Sequence, residues 1–247
     1  MNNTVSRERL PHAALNLQSR HLKAQKIERL LNLASLAQPI RMLEIGCGSG
    51  GIAHYFATHK NLSCDVAAVD VHDNRQVSDG YDYHQVQGIE LPFDAENFDV
   101  IISNHVIEHV GDANAQLSHL KEIRRVMKSQ GKDYLATPNR WMLTEPHYRV
   151  KFLSWLPRRW RSPYLRWIGK GNFYDCEPLE MREFERLLAT SGLAYRNLCI
   201  EALRATFDIE HSRKPYTKAL TSIPDAMVRP LIPVIPTLIY QIEKART

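Results

Sequence analysis

The chain of 247 residues has the length of one large α/β domain, so we expect a single domain over residues 1–247. Apolar residues make up 44% of it and charged residues 24%, which excludes a disordered protein. The cysteines are widely spaced and form no C-x-x-C pair, so we expect reduced thiols in the cytoplasm and neither disulfides nor a cysteine-based zinc site. Residues 1–9 are polar and no apolar run reaches about 18 residues, which predicts neither a signal peptide nor a membrane span.

The net charge of +5 is concentrated in residues 139–176, here called the basic aromatic segment. This segment has eight basic and two acidic side chains, a net +6, so the rest of the chain carries 5 − 6 = −1. It also contains all four tryptophans. Basic residues interleaved with tryptophan suit an anionic partner with an apolar or stackable part, such as a membrane surface, a lipid phosphate or a nucleic acid. The alternative is that the tryptophans only pack a lid.

Apolar runs and helical spacings alternate along the chain. The predicted strands are 41–46, 64–70, 83–87, 98–103, 132–137, 195–203 and 237–243, and the predicted helices are 18–37, 51–60, 114–129 and 178–191. We expect Pro39 to end the first helix, Gly131 the third, and Pro157 and Pro163 to break the basic aromatic segment into short pieces. The alternation predicts an open, mostly parallel sheet covered on both faces. Residues 205–236 are predicted to form a proline-rich, irregular insert before the last strand.

A glycine-rich turn follows the first predicted strand. Gly46, Gly48 and Gly50 would let the backbone turn sharply and approach a ligand, and Asp70 ends the second strand, where an acidic residue can hold a ribose. The spacing also fits a dinucleotide fingerprint. Glu44, two positions before the first glycine, favours a cationic ligand such as a sulfonium.

Several motifs together resemble the class I S-adenosylmethionine-dependent methyltransferases of the type 11 kind. They are residues 42–50 (Met-Leu-Glu-Ile-Gly-Cys-Gly-Ser-Gly), 69–70, 91–93, 98–102, 107–110 and 120–128. The resemblance implies a Rossmann-like sheet of seven strands with an antiparallel last strand and helical inserts after strands five and six. It also implies S-adenosylmethionine as the cofactor.

The resemblance assigns the parts of this cofactor to particular residues. Glu44 and the glycines would hold the methionine part, Asp70 the ribose, and Val71 would lie against the adenine. Gln87 or Gly88 stands where the family usually has an acidic residue for the adenine amine. The cofactor-binding residues expected on this basis are Glu44, Gly46, Gly48, Gly50, Asp70, Val71, Gln87, Gly88, Ser103 and Asn104.

Three histidines are candidates for the base that takes a proton from the methyl acceptor. His105 and His109 follow strand four, and His147 follows strand five. Histidine suits this task because its ordinary pKa lies near neutral pH. We rank His105 first, His147 second and His109 third, and Glu108 or Glu145 would be the base if no histidine is.

The residues after strand five resemble methyltransferases of bacterial cell-surface polysaccharide clusters. On this basis Arg140, Glu145, His147 and Tyr148 are expected to contact the substrate. The acceptor would be a hydroxyl of a sugar, a lipid-linked glycan or another anionic small molecule. The protein would be cytoplasmic, with contact at the inner membrane face as a further expectation.

Other functions have weaker support in the sequence. Residues 103–106 lack the Asp/Asn-Pro-Pro-aromatic tetrapeptide of amino methyltransferases, and no cysteine follows strand four or five as a 5-methylcytosine enzyme needs. Another RNA methyltransferase, a non-catalytic cofactor-binding protein and a dehydrogenase remain alternatives. His105, Glu108 and His109 fit an H-x-x-E-H zinc pattern, and in quinone-type O-methyltransferases an acidic residue replaces the first histidine in a cation-binding stretch. Because His105 stands in place of that acidic residue, we assign no metal to this stretch.

Overall fold

The structure, a computed structural model, describes residues 16–145, 147–210, 217 and 222–245. The polar residues 1–9 lie outside these ranges, as does part of the 205–236 insert. The single-domain prediction for residues 1–247 therefore stays a prediction.

A seven-stranded sheet forms the centre of the described chain, with the order β3-β2-β1-β4-β5-β9-β8. Its strands are β1 (Ile40–Ile45), β2 (Cys64–Asp70), β3 (Asp82–Gln85), β4 (Phe98–Asn104), β5 (Met127–Pro138), β8 (Leu193–Asn197) and β9 (Thr237–Lys244). Strands β6 (Thr144–Glu145) and β7 (Val150–Lys151) pair separately in the basic aromatic segment. β9 runs antiparallel to both of its neighbours, while the strands from β3 to β5 are parallel. The predicted Rossmann-like sheet is confirmed, and its antiparallel strand lies between β5 and β8.

Helices cover both faces of this sheet. They are α1 (Leu17–Leu31), α2 (Gly51–Ala57), α3 (Ala113–Val126), α4 (Arg158–Trp167), α5 (Met181–Thr190) and α6 (Cys199–Glu210), followed by a short helix Asp225–Val228. One buried cluster joins α1, α2 and α6 to the sheet, through residues such as Ile27, Phe56 and Ala202. A second cluster joins α3 and α5 to the other face, through residues such as Ile123 and Phe184. The two cores are expected for a sheet buried on both sides.

The prediction of a strand over 195–203 is wrong beyond Asn197, because α6 begins at Cys199. The side chain of Asn197 accepts a hydrogen bond from the backbone N–H of Cys199 at 2.9 Å, as a residue capping a helix does. Cys199, Ala202 and Ala205 are then buried on one face of this helix. The segment from residue 205 therefore starts as helix rather than as irregular chain.

Other predicted helix limits are also wrong: α2 ends at Ala57 and not at residue 60, and α5 begins at Met181 and not at residue 178. α1 ends at Leu31, well before Pro39, because Asn32 adopts a left-handed conformation with φ of 50°. α3 ends at Val126, and β5 starts before Gly131. Pro163 lies inside α4 and does not break it. Burial of Arg161 and Leu165 on the inner face of α4 offsets the hydrogen bond that proline removes.

Asp133 is the basis of a prediction on stability. It lies in β5 with no exposed surface, and neither carboxylate oxygen has a hydrogen-bond partner among the described residues. Burial raises its pKa well above the ordinary value. The folded chain therefore keeps a proton that the unfolded chain releases above about pH 3.9, so this group lowers the free energy of unfolding as pH rises.

We expect Asp133→Asn to become more stable relative to the parent protein as pH rises from about 4 to about 7. The gain should approach about 1.4 kcal/mol for each pH unit in this interval, because the folded parent retains one proton that its unfolded chain has released. Urea unfolding at a series of pH values measures it, with the exposed Asp82→Asn in β3 as the control. Parallel stability curves for the parent and Asp133→Asn would contradict the expectation.

Candidate active site

The glycine-rich turn joins β1 to α2 at the carboxyl edge of the sheet. Gly46, Gly48 and Gly50 have φ values of 72°, 53° and 76°, in the left-handed region that favours glycine. A Cβ atom on Gly46 would lie 2.5 Å from Cγ2 of Val106, so no side chain fits there without movement. The turn thus brings bare backbone close to the residues that follow β4.

Two carboxyl groups flank this turn. Asp70 Oδ2 accepts a hydrogen bond from the N–H of Gly48 at 2.8 Å, which ties the end of β2 to the turn. Glu44 Oε2 accepts one from the N–H of Ala53 at 2.8 Å. Burial raises the pKa of Glu44 to about 8, although the N–H of Ala53 and the charge of Arg20 lower it in part. A sulfonium or ammonium group beside it would favour the charged form.

Buried polar atoms without partners gather at the same edge. Ser103 is fully buried and Asn104 is 9% exposed at the end of β4. The hydroxyl of Ser103, Oδ1 of Asn104 and the hydroxyl of Ser49 in the glycine-rich turn have no hydrogen-bond partner within the described ranges. Because such groups are costly to bury unpaired, they suit a polar ligand at this place. The residues present therefore fit the nucleoside and amino acid parts of S-adenosylmethionine.

The expected adenine contacts lie at the ends of β2 and β3. Val71 follows Asp70 directly and is 46% exposed, which is high for an aliphatic side chain next to a buried strand. Gln87 and Gly88 are exposed just after β3, and the space above Gly88 is open to at least 4 Å. These positions stay predictions.

His105 and Glu108 form a pair just after β4. Nδ1 of His105 lies 3.3 Å from Oε1 of Glu108, and the hydroxyl of Thr137 donates to Oε2 of Glu108 at 3.2 Å. Burial alone would raise the pKa of Glu108, but the hydrogen bond and charge of His105 lower it below its usual value. A buried carboxylate therefore orients an imidazole whose side chain is 30% exposed.

A second pair lies in the basic aromatic segment. Oε1 of the fully buried Glu145 lies 2.6 Å from Nδ1 of His147, and Oε2 accepts the N–H of Tyr148 at 2.7 Å. Burial would lower the pKa of His147, but the hydrogen bond and charge of Glu145 outweigh burial and raise it. His147 is thus held more firmly as a cation than an ordinary histidine, which makes it a poorer base at neutral pH.

The three candidate histidines have different neighbours, although Nε2 of His109 lies 4.0 Å from the same oxygen of Glu108 that faces His105. His109 lies beside His147, with ring centroids 5.6 Å apart, and both face the sulfur of Cys176. His105 pairs with Glu108 instead. Sequence reasoning missed Cys176, which has no motif around it and approaches the histidines only through the fold.

The other expected substrate residues support the basic aromatic segment. The hydroxyl of Tyr148 donates to the carbonyl of Phe173 at 2.7 Å, across the segment. The N–H of Arg140 donates to the carbonyl of Leu179 at 3.0 Å, and its guanidinium lies 5.5 Å from the ring of Trp141. Substrate contact by Arg140 and Tyr148 stays a prediction.

Comparisons with known proteins show which sequences and structures this chain resembles. A family model described as "Methyltransferase domain" matches residues 16–197. The ubiquinone biosynthesis O-methyltransferase of Bartonella bacilliformis is 27% identical over 164 residues, covering 62% of this chain and 60% of the relative. The enzyme of that name from Cereibacter sphaeroides is 29% identical over 179 residues, covering 69% of this chain and 66% of the relative. The chain thus spans about 60% of the length of the first of these relatives.

A solved structure gives the same fold. It is that of phosphoethanolamine N-methyltransferase 2 from Haemonchus contortus, in complex with phosphomonomethylethanolamine and S-adenosylhomocysteine. The TM-score is 0.54 at 16% identity, covering 90% of this chain and 52% of that chain. S-adenosylmethionine, the predicted cofactor, fits this fold and the family match. The chain belongs to the class I S-adenosylmethionine-dependent methyltransferases.

Proposed function

We propose that the protein transfers the methyl group of S-adenosylmethionine to a hydroxyl oxygen of an anionic acceptor that carries an apolar part. The observation that carries this proposal is the His105–Glu108 pair, which follows the strand that ends at the unpaired Ser103 and Asn104. Two relatives support the proposal, because both are named O-methyltransferases of ubiquinone biosynthesis. The sugar, lipid-linked glycan and phenol alternatives share one chemistry, a hydroxyl on a polar head group.

The chain's own residues would act mainly by alignment and by proton removal. The bound cofactor supplies a methyl group on a positively charged sulfur. The glycine-rich turn, Glu44 and Asp70 would hold the cofactor, and alignment of the acceptor oxygen with the methyl group supplies much of the rate. His105 would take the hydroxyl proton at Nε2, because Nδ1 faces Glu108 and the buried carboxylate stabilises the imidazolium that forms.

Helix α4 supports an acceptor with an apolar part. Leu156, Trp160, Pro163, Tyr164 and Trp167 line a groove on this helix that is almost entirely apolar. Trp160 is 55% and Trp167 81% exposed, and Arg159 and Arg166 lie exposed on the same helix. Exposed tryptophans beside arginines suit the boundary between lipid chains and anionic head groups. In the described residues, no helix has both the length and the apolarity to cross a bilayer.

The reaction is tested with methyl-labelled S-adenosylmethionine and cell-envelope extracts separated into lipid, glycan and RNA fractions. The proposal expects label in a lipid or glycan compound whose mass rises by one CH₂ group. Phenol and sugar acceptors separate by the fragment that carries the label. Label in RNA would favour the nucleic-acid alternative, and cofactor binding without any turnover would favour the non-catalytic one.

We further propose that α4 binds the anionic face of the inner membrane, and this gives a prediction. The protein should sediment with anionic vesicles and not with neutral ones, and salt should weaken binding, because each basic residue near the surface contributes roughly 1 kcal/mol. The double variant Trp160→Ala, Trp167→Ala should bind more weakly than Tyr195→Ala, which removes an exposed ring outside the segment. Equal binding to both kinds of vesicle, or to neither, would refute the membrane proposal.

A further inference from the structure

Three segments far apart in sequence bring two imidazoles and a thiol together. His109 ends the short 3-10 helix after β4, His147 lies in the turn between β6 and β7, and Cys176 lies beyond α4. The backbone N–H of Glu177 donates to the carbonyl of Glu108 at 2.8 Å, which fixes the cysteine beside the histidine. One ligand atom from each of the three side chains lies within 4.8 Å of the other two.

The distances in this cluster suit a tetrahedral metal. Sγ of Cys176 lies 3.6 Å from Nδ1 of His109 and 3.7 Å from Nδ1 of His147. Zinc bonds of about 2.3 Å to sulfur and about 2.0–2.1 Å to nitrogen, at tetrahedral angles, place sulfur and nitrogen about 3.6 Å apart. A cation could therefore bind with small movements of the side chains.

The charges around the cluster also favour a cation. Three carboxylates lie beside the cluster: Oδ1 of Asp175 is 3.7 Å from Sγ of Cys176, Oε1 of Glu145 is 2.6 Å from Nδ1 of His147, and Oε1 of Glu108 is 4.0 Å from Nε2 of His109. Glu145 and Glu108 have no exposed surface. Buried negative charge of this kind is stabilised by pairing with a cation or by coordinating a metal. Oε1 of Glu145 faces Nδ1 of His147, the nitrogen that also faces Cys176, so a cation bound at this nitrogen would replace the hydrogen bond and keep the buried carboxylate beside it.

We propose that His109, His147 and Cys176 bind one zinc ion, with a water molecule or an acceptor oxygen at the fourth position. A thiolate with two imidazoles selects zinc over magnesium or calcium, which prefer oxygen ligands. On binding, the sulfur–hydrogen bond of Cys176 breaks, its electron pair forms the bond to zinc, and the proton leaves to solvent; where His147 is protonated, it also releases a proton to solvent from the nitrogen that binds zinc. The proposed zinc site does not depend on which compound accepts the methyl group. It replaces the prediction of no metal, which considered only ligands close in sequence.

The experiment uses the full chain, stripped with a chelator and titrated with Zn²⁺ or Co²⁺ alone. We expect one zinc ion per chain and, with cobalt, a sulfur-to-metal charge-transfer band together with the intense visible bands of a tetrahedral site. Cys176→Ser should lose the charge-transfer band, whereas Cys64→Ser, at a partly exposed cysteine in β2, should keep it. His109→Ala and His147→Ala should each weaken zinc binding at least tenfold, and the exposed His84→Ala should not.

Glu145→Gln removes a buried negative charge beside the cluster, and we expect zinc binding to weaken roughly tenfold. Circular dichroism checks that every variant folds. If Cys176→Ser does not fold, the parent protein alone still tests the site, because its cobalt complex must show the sulfur-to-metal charge-transfer band. Absence of stoichiometric zinc, or a band that Cys176→Ser retains, would overturn the site and leave a hydrogen-bonded thiol between two histidines.

Discussion

Replacing His105 with alanine is expected to lower the turnover number by roughly 10²–10⁴-fold while cofactor affinity is kept. A hydroxyl is a weak nucleophile at neutral pH, so loss of its proton during the displacement should matter. Nδ1 of His105 lies 3.3 Å from Oε1 of the buried Glu108, closer than Nε2 of His109, which lies 4.0 Å from the same oxygen. Single-turnover rates and calorimetric titration of the cofactor separate the two effects.

The control for this experiment is His84→Ala, which removes an exposed histidine from β3. Glu108→Gln should lower the rate less than His105→Ala, because it loosens the imidazole without removing it. If His105→Ala turns over at nearly the parent rate and His147→Ala does not, the base lies in the basic aromatic segment. If both keep the parent rate, alignment or a carboxylate must account for the reaction.

The second large effect is expected at the cofactor. Asp70→Ala should lower affinity for S-adenosylmethionine at least tenfold, because each charge-assisted hydrogen bond to the ribose contributes roughly 1.5–3 kcal/mol. The same substitution removes the bond that Asp70 accepts from the N–H of Gly48. Part of the loss would therefore come from a less ordered glycine-rich turn.

A matched control is available on the same strand. Asp65→Ala removes an exposed carboxylate near the start of β2, away from the edge where Asp70 lies. Calorimetry should give parent-like affinity for Asp65→Ala and weak binding for Asp70→Ala. Equal affinity in both variants would show that Asp70 does not hold the ribose.

The parallel part of the sheet could be predicted because its signals are local. Strands β1, β2 and β4 are short apolar runs, and each ends where glycine or a polar residue takes over. The glycine-rich turn and Asp70 are likewise adjacent to strand ends in the sequence. Their proximity follows from parallel pairing alone, since the carboxyl ends of neighbouring strands meet at one edge.

What could not be predicted depends on contacts across the fold. The apolar residues after Asn197 fit a strand as well as a helix, and only the cap on Cys199 and burial against α1 select the helix. Cys176 meets His109 and His147 because the chain beyond α4 returns to the end of β4. No spacing of residues along the sequence predicts this contact.

The position of β9 between β5 and β8 affects the order in which the protein can assemble. β8 has β9 as its hydrogen-bonded neighbour in the sheet, and β9 begins at Thr237, long after β8 ends at Asn197. During synthesis, one edge of β5 and the edge of β8 that later faces β9 stay unpaired until this strand leaves the ribosome. Such open edges can pair with other chains. The time needed to synthesise α6 and the proline-containing segment after it is therefore the interval in which these unpaired strand edges are exposed.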